Sequence, residues 1–343
     1  MKKSLLALAV LGAFAGVASA QSSVTLFGTV DLNGRYVKND GSERRYSLSQ
    51  DGINSSQLGF RGVEDLGGGL KAGFLLLAGV NADTGSTNAQ FFNRSAYARL
   101  MGNFGEVRLG RDYTPTFWND TIFDAFGTNG LGDSSGVKQI AAPNFVRANN
   151  AVGYFLPSGI GGVYGQVMVA AAEGAAAGRY VGGRVGFAAG PFDVAGAYSE
   201  EEIAGGKYKT ANIGGSFDFG MAKLLGYWNQ EKQNAVKDNI YSVSAVVPIG
   251  QGEIHAGYDY SKLTAPGVSN KVDKIALGYV YNLSKRTAVY TTVARVSTGN
   301  ASANSLGSPG VSTVGVGSSG SATAAPTLGG KSQGAEFGIR HFF

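Results

Sequence analysis

Several residue types are scarce in this chain, and each scarcity excludes a class of protein. There is no cysteine and there are two histidines, which excludes a disulfide framework and a thiolate metal site and argues against a histidine metal site. Proline is scarce, with 8 residues against 54 glycines, and no G-X-Y period is present, so the chain is not collagen-like. No block of five or more basic residues occurs, which argues against binding of nucleic acid.

The N-terminus has the pattern of a secretory signal peptide. Lys2 and Lys3 precede an apolar run, Leu5–Val17, and the small residues Ala18-Ser19-Ala20 follow it. The run is too short to span a bilayer comfortably, which makes a membrane anchor the weaker alternative. We therefore predict a signal peptide over residues 1–20, cleaved after Ala20, and a single mature domain over residues 21–343 with a formal net charge of +3.

Beyond the signal, no run of 18 apolar residues exists, which excludes transmembrane helices. The chain is instead rich in glycine, tyrosine and phenylalanine, and its hydrophobic period is two almost everywhere. Clear examples are Val24–Tyr36, Lys209–Phe219 and Lys274–Leu283. This pattern predicts an all-β protein.

Two all-β architectures fit such alternation, a soluble sandwich and a membrane barrel whose apolar face points to lipid. The polar faces carry charges that a sealed core does not absorb unpaired, namely Asp31, Arg35, Arg61, Arg94, Glu253 and Asp259. The connections also alternate between short and longer. Both features favour a 16-stranded antiparallel transmembrane β-barrel with short periplasmic turns and long external loops.

The predicted connections define the two ends of this barrel. The short turns are Glu64–Gly69, Met101–Asn103, Ser158–Gly161, Ala189–Pro191, Gly220–Met221, Ile249–Gly252 and Leu283–Ser284. The longer connections are Lys38–Ile53, Asn81–Ala89, Thr114–Phe145, Glu173–Ala177, Glu201–Lys207, Lys232–Asn234, Leu263–Asn270 and Thr298–Lys331. The last of them contains a low-complexity stretch of serine, glycine, alanine and threonine, which predicts a mobile surface loop.

The third long connection, Thr114–Phe145, is expected to fold into the lumen, because a long loop in a regular barrel usually has a task. Its carboxylates Asp120 and Asp124 would then face a basic wall. The opposing charges would create a transverse field that favours polar solutes. The predicted constriction residues are Arg61, Arg94, Arg147, Asp120, Asp124 and Asp31.

Three motifs that point to chemistry are weak. Gly315–Gly320 matches the dinucleotide fingerprint, but it lies in a polar loop and no helix is predicted to follow it. Gly329–Ser332 is similar to the end of a phosphate-binding loop, but Ala325 stands where that motif has its first glycine. His255 lies on a polar strand face, where a solvated wall residue is the simpler interpretation than a hydrolase base. We predict no enzyme activity, cofactor or metal.

The mature chain closely resembles the Gram-negative trimeric porins of the betaproteobacterial type. The most specific matching segments are Ser23–Gly28, Gly59–Ala72, Phe92–Tyr97, Leu109–Pro115, Tyr281–Thr287 and the terminal Phe343. The resemblance implies a sixteen-stranded homotrimer in the outer membrane with one pore per subunit. It also implies that Arg61, Arg94 and Arg147 are wall arginines and that Phe343 is read by the barrel-assembly machinery.

The chain departs from the family pattern inside the lumen. Gln57 stands where the family usually has an arginine, and Leu75 and Leu77 replace polar residues. These departures predict a less charged lumen and argue against strong anion selectivity.

We therefore expect passive diffusion of small hydrophilic solutes and ions. Three alternatives remain open at this point. An outer-membrane lipase would depend on His255. A non-conducting adhesin would use the loops Asn81–Ala89 and Thr298–Lys331. A substrate-specific channel would use an aromatic track of Trp118, Tyr113 and Phe27.

Overall fold

The computed structural model describes residues 23–140, 146–174, 178–299 and 329–343. The predicted signal peptide, the fingerprint Gly315–Gly320 and most of the low-complexity loop lie outside these ranges. Lys331 and Ser332 begin a β-strand, so the segment similar to a phosphate-binding loop is part of the barrel wall.

Strands make up nearly all of the described chain, and a single short α-helix interrupts them. The strands are β1 (Ser23–Asn39), β2 (Arg44–Gln50), β3 (Gln57–Gly67), β4 (Leu70–Asn81), β5 (Ser86–Thr87), β6 (Ser95–Gly102), β7 (Gly105–Tyr113), β8 (Arg147–Phe155), β9 (Val163–Ala170), β10 (Tyr180–Ala189), β11 (Phe192–Ile203), β12 (Gly206–Asp218), β13 (Lys223–Gln233), β14 (Val236–Ile249), β15 (Gly252–Ala265), β16 (Val268–Asn282), β17 (Thr287–Thr298) and β18 (Lys331–Phe342). The helix is α1 (Pro115–Ile122), and a 3-10 turn follows at Ser134–Val137.

These elements form a closed antiparallel barrel of sixteen strands, as the alternation predicts. Elements β2 and β3 both pair with β1, one with each half of it, and together count as one barrel strand that is interrupted at residues 51–56. Strand β5 pairs only with the end of β4 and belongs to the second loop. No described helix is long and apolar enough to cross a bilayer.

The barrel closes where the last strand pairs with the first. Strand β18 runs antiparallel to β1 from Thr29 opposite Phe342 to Asn39 opposite Ser332. The terminal residue extends this ladder, because Phe343 N donates to Gly28 O at 3.1 Å and Gly28 N donates to Phe343 O at 3.0 Å. Closure removes the free edge that lipid does not tolerate.

Alternation along each strand separates an apolar outer face from a polar inner face. Leu26, Val243 and Phe337 are exposed on the outer face, whereas inward side chains such as Asp31 and Asn33 are buried. The third loop covers the part of the inner face formed by β10, β11, β12, β15 and β16. An exposed apolar face around a polar interior is the arrangement of a barrel in lipid.

The predicted short turns are confirmed, but several predicted long connections are not long. Glu201–Lys207 and Leu263–Asn270 each contain a two-residue hairpin turn, Lys232–Asn234 ends within another, and Lys38–Ile53 contains strand β2. Neighbouring strands remain hydrogen-bonded to each other beyond the point at which their outward side chains change from apolar to polar. The end of the apolar pattern therefore marks the membrane edge and not the end of the strand.

Candidate pore constriction

The third loop lies inside the barrel, as its length predicts. It leaves β7 at Thr114 and enters α1 through Pro115, a residue suited to the first helical turn because its fixed φ is helical and its missing N–H has no partner there anyway. Helix α1 packs against β10, β11 and β12, and the 3-10 turn packs against β15 and β16. The loop therefore narrows the lumen from one side of the wall.

Hydrogen bonds fasten α1 to the wall. Asn119 Nδ2 donates to Ala195 O at 3.1 Å and to Asn212 Oδ1 at 3.0 Å. Asn212 Nδ2 donates in return to Thr116 O at 3.0 Å. All of these side chains are buried. The reciprocal amide bonds fix both the height and the rotation of the helix.

Glycines of the inner wall make room for the loop aromatics. A Cβ built on Gly214 would lie 2.3 Å from the Phe123 ring, and Cβ atoms on Gly257 and Gly278 would lie 3.3 and 3.2 Å from Phe126. The wall therefore has shallow sockets that hold the two rings. Part of the glycine content serves loop docking and not only turns.

The two carboxylates predicted to face the basic wall are buried between the loop and the barrel. Asp120 Oδ2 is 2.7 Å from Lys138 Nζ, which also lies 3.0 Å from Glu231 Oε1. Burial raises the pKa of Asp120 to about 6, against the opposing effect of Lys138. This ion pair ties α1 to the end of the loop and to β13.

Asp124 organises the turn after α1. Its carboxylate accepts hydrogen bonds from Phe126 N at 2.9 Å, from Thr128 N at 3.0 Å and from both Ser134 N and Ser134 Oγ, at 3.1 and 2.9 Å. Neither loop carboxylate is therefore brought opposite the arginines. The partly exposed polar side chains between residues 121 and 139 of the loop are uncharged, namely Thr121, Thr128, Asn129, Ser135 and Gln139.

Asp31 is also an anchor. It is fully buried and accepts from the backbone N–H groups of Gly52, Ile53 and Asn54, at 3.2, 3.0 and 2.7 Å, and from the Tyr290 hydroxyl. These bonds hold the segment between β2 and β3. The structure thus places Asp31 beneath that segment and away from the open lumen.

Arg94 and Arg147 are brought together beside the start of the third loop. An Nη2 group of each donates to the Tyr113 hydroxyl at 2.8 Å, and the Arg147 guanidinium also lies 4.4 Å from the centroid of the Tyr113 ring. Tyr113 in turn stacks on Phe117, with ring centroids 5.5 Å apart. One tyrosine thus positions two like charges next to each other.

Neither of these arginines forms a salt bridge. Among the described residues no carboxylate lies within the 4.0 Å of a salt bridge to Arg94 or Arg147, and the buried Nε of each has no hydrogen-bond acceptor. By contrast, Arg108 on the same wall is held by Glu106 and Asp112, each at 2.7 Å. Arg94 and Arg147 therefore form a pair of neighbouring guanidinium groups without a salt bridge.

Arg61 lies apart from this pair. It is exposed, stands opposite Thr25 and Leu75, and places its guanidinium 5.0 Å from the Phe27 ring. Gln57 lies four residues before Arg61 on β3, which is about 13 Å along the strand, and it pairs with Gly79. The Gly79 backbone N–H bonds to Asn93, the neighbour of Arg94. Gln57 therefore lies near the level of Arg94.

Three residues that the alternatives depend on are also placed. Trp118 contacts Tyr113 at 5.5 Å between ring centroids, whereas Phe27 lies against Arg61 in the lower lumen. His255 bridges Ala125 O at 2.6 Å and Glu253 at 3.0 Å, which supports the loop from below. No group of three metal-ligating side chains occurs in the part of the chain that the structure describes.

Sequence reasoning missed one residue beside this path. Arg340 Nη1 donates to Asn54 Oδ1 at 3.1 Å, and its Nε has no acceptor among the described residues. It lines a recess of about 260 Å³ under the loop, together with Phe126, His255 and Glu253. The alternation of Phe337–Phe343 was the signal that places Arg340 on the inner face.

Known proteins share both the sequence and the fold of this chain. A family model described as Gram-negative porin matches residues 7–301. Outer membrane porin protein 32 of Delftia acidovorans is 40% identical over 366 residues, covering 100% of both chains. Major outer membrane protein P.IB of Neisseria meningitidis serogroup B is 28% identical over 84% of this chain and 91% of its own. The structure of an anion-selective porin from Comamonas acidovorans has a TM-score of 0.82 and 36% identity, covering 94% of this chain and 100% of that one.

Proposed function

Because this chain belongs to the Gram-negative porin family, we propose that its channel favours anions and is narrowed by Arg94 and Arg147 opposite a neutral loop edge. The chain is an outer-membrane porin, and its barrel encloses a water-filled passage for passive diffusion of small hydrophilic solutes and ions. A solute entering the constriction meets two guanidinium groups on one side and hydroxyl and amide groups on the other.

The observation that carries this proposal is the difference in partners between the arginines and the carboxylates. Asp120 is paired with Lys138, and Asp124 accepts four hydrogen bonds, so both loop carboxylates are buried in contacts beneath the loop instead of facing the passage. Arg94 and Arg147 keep an unpaired Nε each. In a narrow gap with low-dielectric walls, uncompensated charge of one sign attracts the opposite ion and repels its own.

This arrangement revises the balance drawn from the sequence. Gln57 does remove one positive charge at this level, but the loop carboxylates that were expected to offset the wall are used elsewhere. In this proposal the arginine pair, and not a field between arginines and loop carboxylates, sets the preference for ions. Arg61 and Arg340 extend the positive charge along the lower lumen and form the exit side of the same path.

The experiment is a comparison of reversal potentials in planar bilayers under a KCl gradient. Arg94→Gln/Arg147→Gln should shift the reversal potential toward potassium. Arg295→Gln is the matched control, because Arg295 is an exposed arginine on the outer face of β17. An equal potential for the wild-type and doubly substituted channels would remove the arginine pair from the filter.

We further propose that the chain is exported by its signal peptide, cleaved after Ala20, assembled through Phe343 by the barrel-assembly machinery and joined in a homotrimer surrounded by outer-membrane lipid. Family membership supports the trimer, and the exposed apolar outer face supports contact with lipid. N-terminal sequencing of the mature chain tests cleavage after Ala20. The mass of the purified complex tests the homotrimer. A monomer in mild detergent would contradict the trimer.

We also propose that the chain catalyses no reaction. Its family is one of channels. His255, the residue that a hydrolase would need, is held between Ala125 O and Glu253 beneath the loop. His255→Ala should loosen the loop without changing the turnover of any ester substrate; loss of a measurable esterase activity in that variant would overturn this assignment.

A further inference from the structure

The recess of about 260 Å³ beneath the third loop is built from four adjacent strands and the loop itself. Residues 124–127 of the loop cover it, and inward side chains of β15, β16, β17 and β18 form its wall. Glu253 and Arg340 are partly exposed and Asn282 is exposed, so the recess opens to the lumen. Its volume lies below the roughly 300 to 1,000 Å³ of pockets for drug-sized ligands, which favours a smaller solute.

Charges of opposite sign line this recess from separate strands. Glu253 is on β15 and Arg340 is on β18, with β16 and β17 between them, so their backbones are three strand spacings or about 14 Å apart. No salt bridge joins Arg340 to a carboxylate in the part of the chain that the structure describes. The two charges therefore face one cavity without pairing directly.

Each of these charges keeps hydrogen-bonding capacity for a solute. Glu253 Oε1 contacts His255 Nε2 at 3.0 Å, and no described residue donates to Glu253 Oε2. Arg340 donates through Nη1 to Asn54, whereas its buried Nε has no acceptor among the described residues. The other carboxylate of the recess, Asp124, already accepts four hydrogen bonds. A buried donor without an acceptor is costly, which points to an anionic group at Arg340.

Apolar side chains line the same recess. Val280 is opposite Glu253 in the sheet, and Ile53 and Phe126 contribute further apolar surface. The Phe126 ring is fixed in place, because it lies over the wall glycine at position 278. A solute that fits all of these groups has an anionic end, a cationic end and a short apolar part.

We propose that this recess binds an α-amino acid with an apolar side chain. Its carboxylate would accept from Arg340, its ammonium group would donate to Glu253, and its side chain would lie against Phe126 and Val280. A simple anion would leave Glu253 unpaired beside it, and a neutral sugar would use neither charge. The inference rests on the proposed function only for the access of solutes to the lumen.

The test measures block of the ion current through the full-length porin in planar bilayers. L-leucine, added to both solutions, should lower the conductance in a saturable manner. N-acetyl-L-leucine lacks the ammonium group and L-leucine amide lacks the carboxylate, so each should bind roughly tenfold or more weakly, because one charge-assisted hydrogen bond is lost. Glycine lacks the apolar side chain and should also bind roughly tenfold more weakly.

Variants then locate the site. Glu253→Gln should weaken binding of L-leucine roughly tenfold and should not weaken N-acetyl-L-leucine, which has no ammonium group to lose. Arg340→Gln should weaken both probes. Glu64→Gln and Arg286→Gln each neutralise one exposed charge of the same sign outside the recess, and both control channels should bind L-leucine as the wild type does.

Three outcomes would overturn the amino-acid site: no saturable block by L-leucine, equal affinity for N-acetyl-L-leucine in the wild type, or equal weakening in the control variants. The wild-type reversal potential is measured in the same membranes without amino acid. A potential on the chloride side without block by L-leucine would leave the channel proposal standing. Block by L-leucine in a channel without ion preference would overturn the channel proposal alone.

Discussion

Lys138 Nζ lies 2.7 Å from Asp120 Oδ2, and both side chains are buried between the third loop and the wall. Charges buried in this way are tolerated only when paired, because desolvation of either ion alone is costly. The pair joins the beginning of the loop to its later part, and Glu231 joins both to β13. The position of the loop inside the barrel thus depends in part on ion pairs buried beneath it.

The first prediction concerns this pair. Lys138→Gln leaves Asp120 and Glu231 without the cation that both contact and should destabilise the docked loop by roughly 2 kcal/mol. Single-channel recordings should show increased open-channel noise. Glu64→Gln, at an exposed carboxylate near a periplasmic turn, is the control and should record as quietly as the wild type. Unchanged noise in Lys138→Gln would mean that other contacts suffice to hold the loop.

The second prediction follows from the pKa of the loop carboxylates. Burial raises the pKa of Asp120 to about 6 and also raises the pKa values of Asp124 and Asp133. A carboxyl whose pKa is higher in the folded state binds its proton more tightly there. The contribution of Asp120 to the free energy of unfolding is therefore complete below its ordinary pKa of 3.8, and it is lost as the pH rises through its raised pKa of about 6.

Thermal denaturation followed by circular dichroism checks this sign. The midpoint of the wild type should rise as the pH is lowered from 7 to 5. Asp120→Asn should reduce this dependence, because it removes the group with the pKa of about 6. A wild-type midpoint that falls over the same interval would contradict the assignment.

The third prediction concerns the socket for Phe123. Gly214→Ala should push the ring and α1 toward the lumen and lower the single-channel conductance, since the new Cβ would lie 2.3 Å from the ring. Gly196→Ala is the control, because its nearest neighbour would be 3.8 Å away. The smaller side chain of a Gly214→Ala/Phe123→Leu channel should restore part of the lost conductance. Equal conductance in all of these channels would show that the loop does not set the pore width.

The fourth prediction separates assembly from stability at the chain terminus. Phe343→Ala keeps the backbone bonds to Gly28 but removes the ring that packs over it. We expect a lower yield of assembled barrel in cells and normal conductance after refolding in detergent. His341→Ala, at an exposed neighbour, should assemble normally. A normal cellular yield of Phe343→Ala would remove the assembly role.

The barrel was predictable because its determinants are local. The period of two along Val24–Tyr36 requires no knowledge of distant residues, and closure follows from the need to cover the edge. The loop ends were less predictable. Strands near Lys207 and Lys262 continue past the apolar band as hydrogen-bonded hairpins, and a hydrophobic pattern carries no information there.

The constriction was predictable in part. The structure brings Arg94 and Arg147 together, but the sequence does not show that Tyr113 joins them. Burial of Asp120 and Asp124 depends on wall residues about 90 to 135 positions away along the chain, such as Asn212 and Asp259. An irregular loop has no periodicity that distinguishes a buried carboxylate from an exposed one.

The central claim is that uncompensated wall arginines, and not loop carboxylates, determine which ions pass. The most direct measurement is the reversal potential of the wild-type channel across a tenfold KCl gradient. We predict a potential on the chloride side that grows as both solutions are diluted, because salt screens the arginine pair. A potential of zero or on the potassium side would contradict the account.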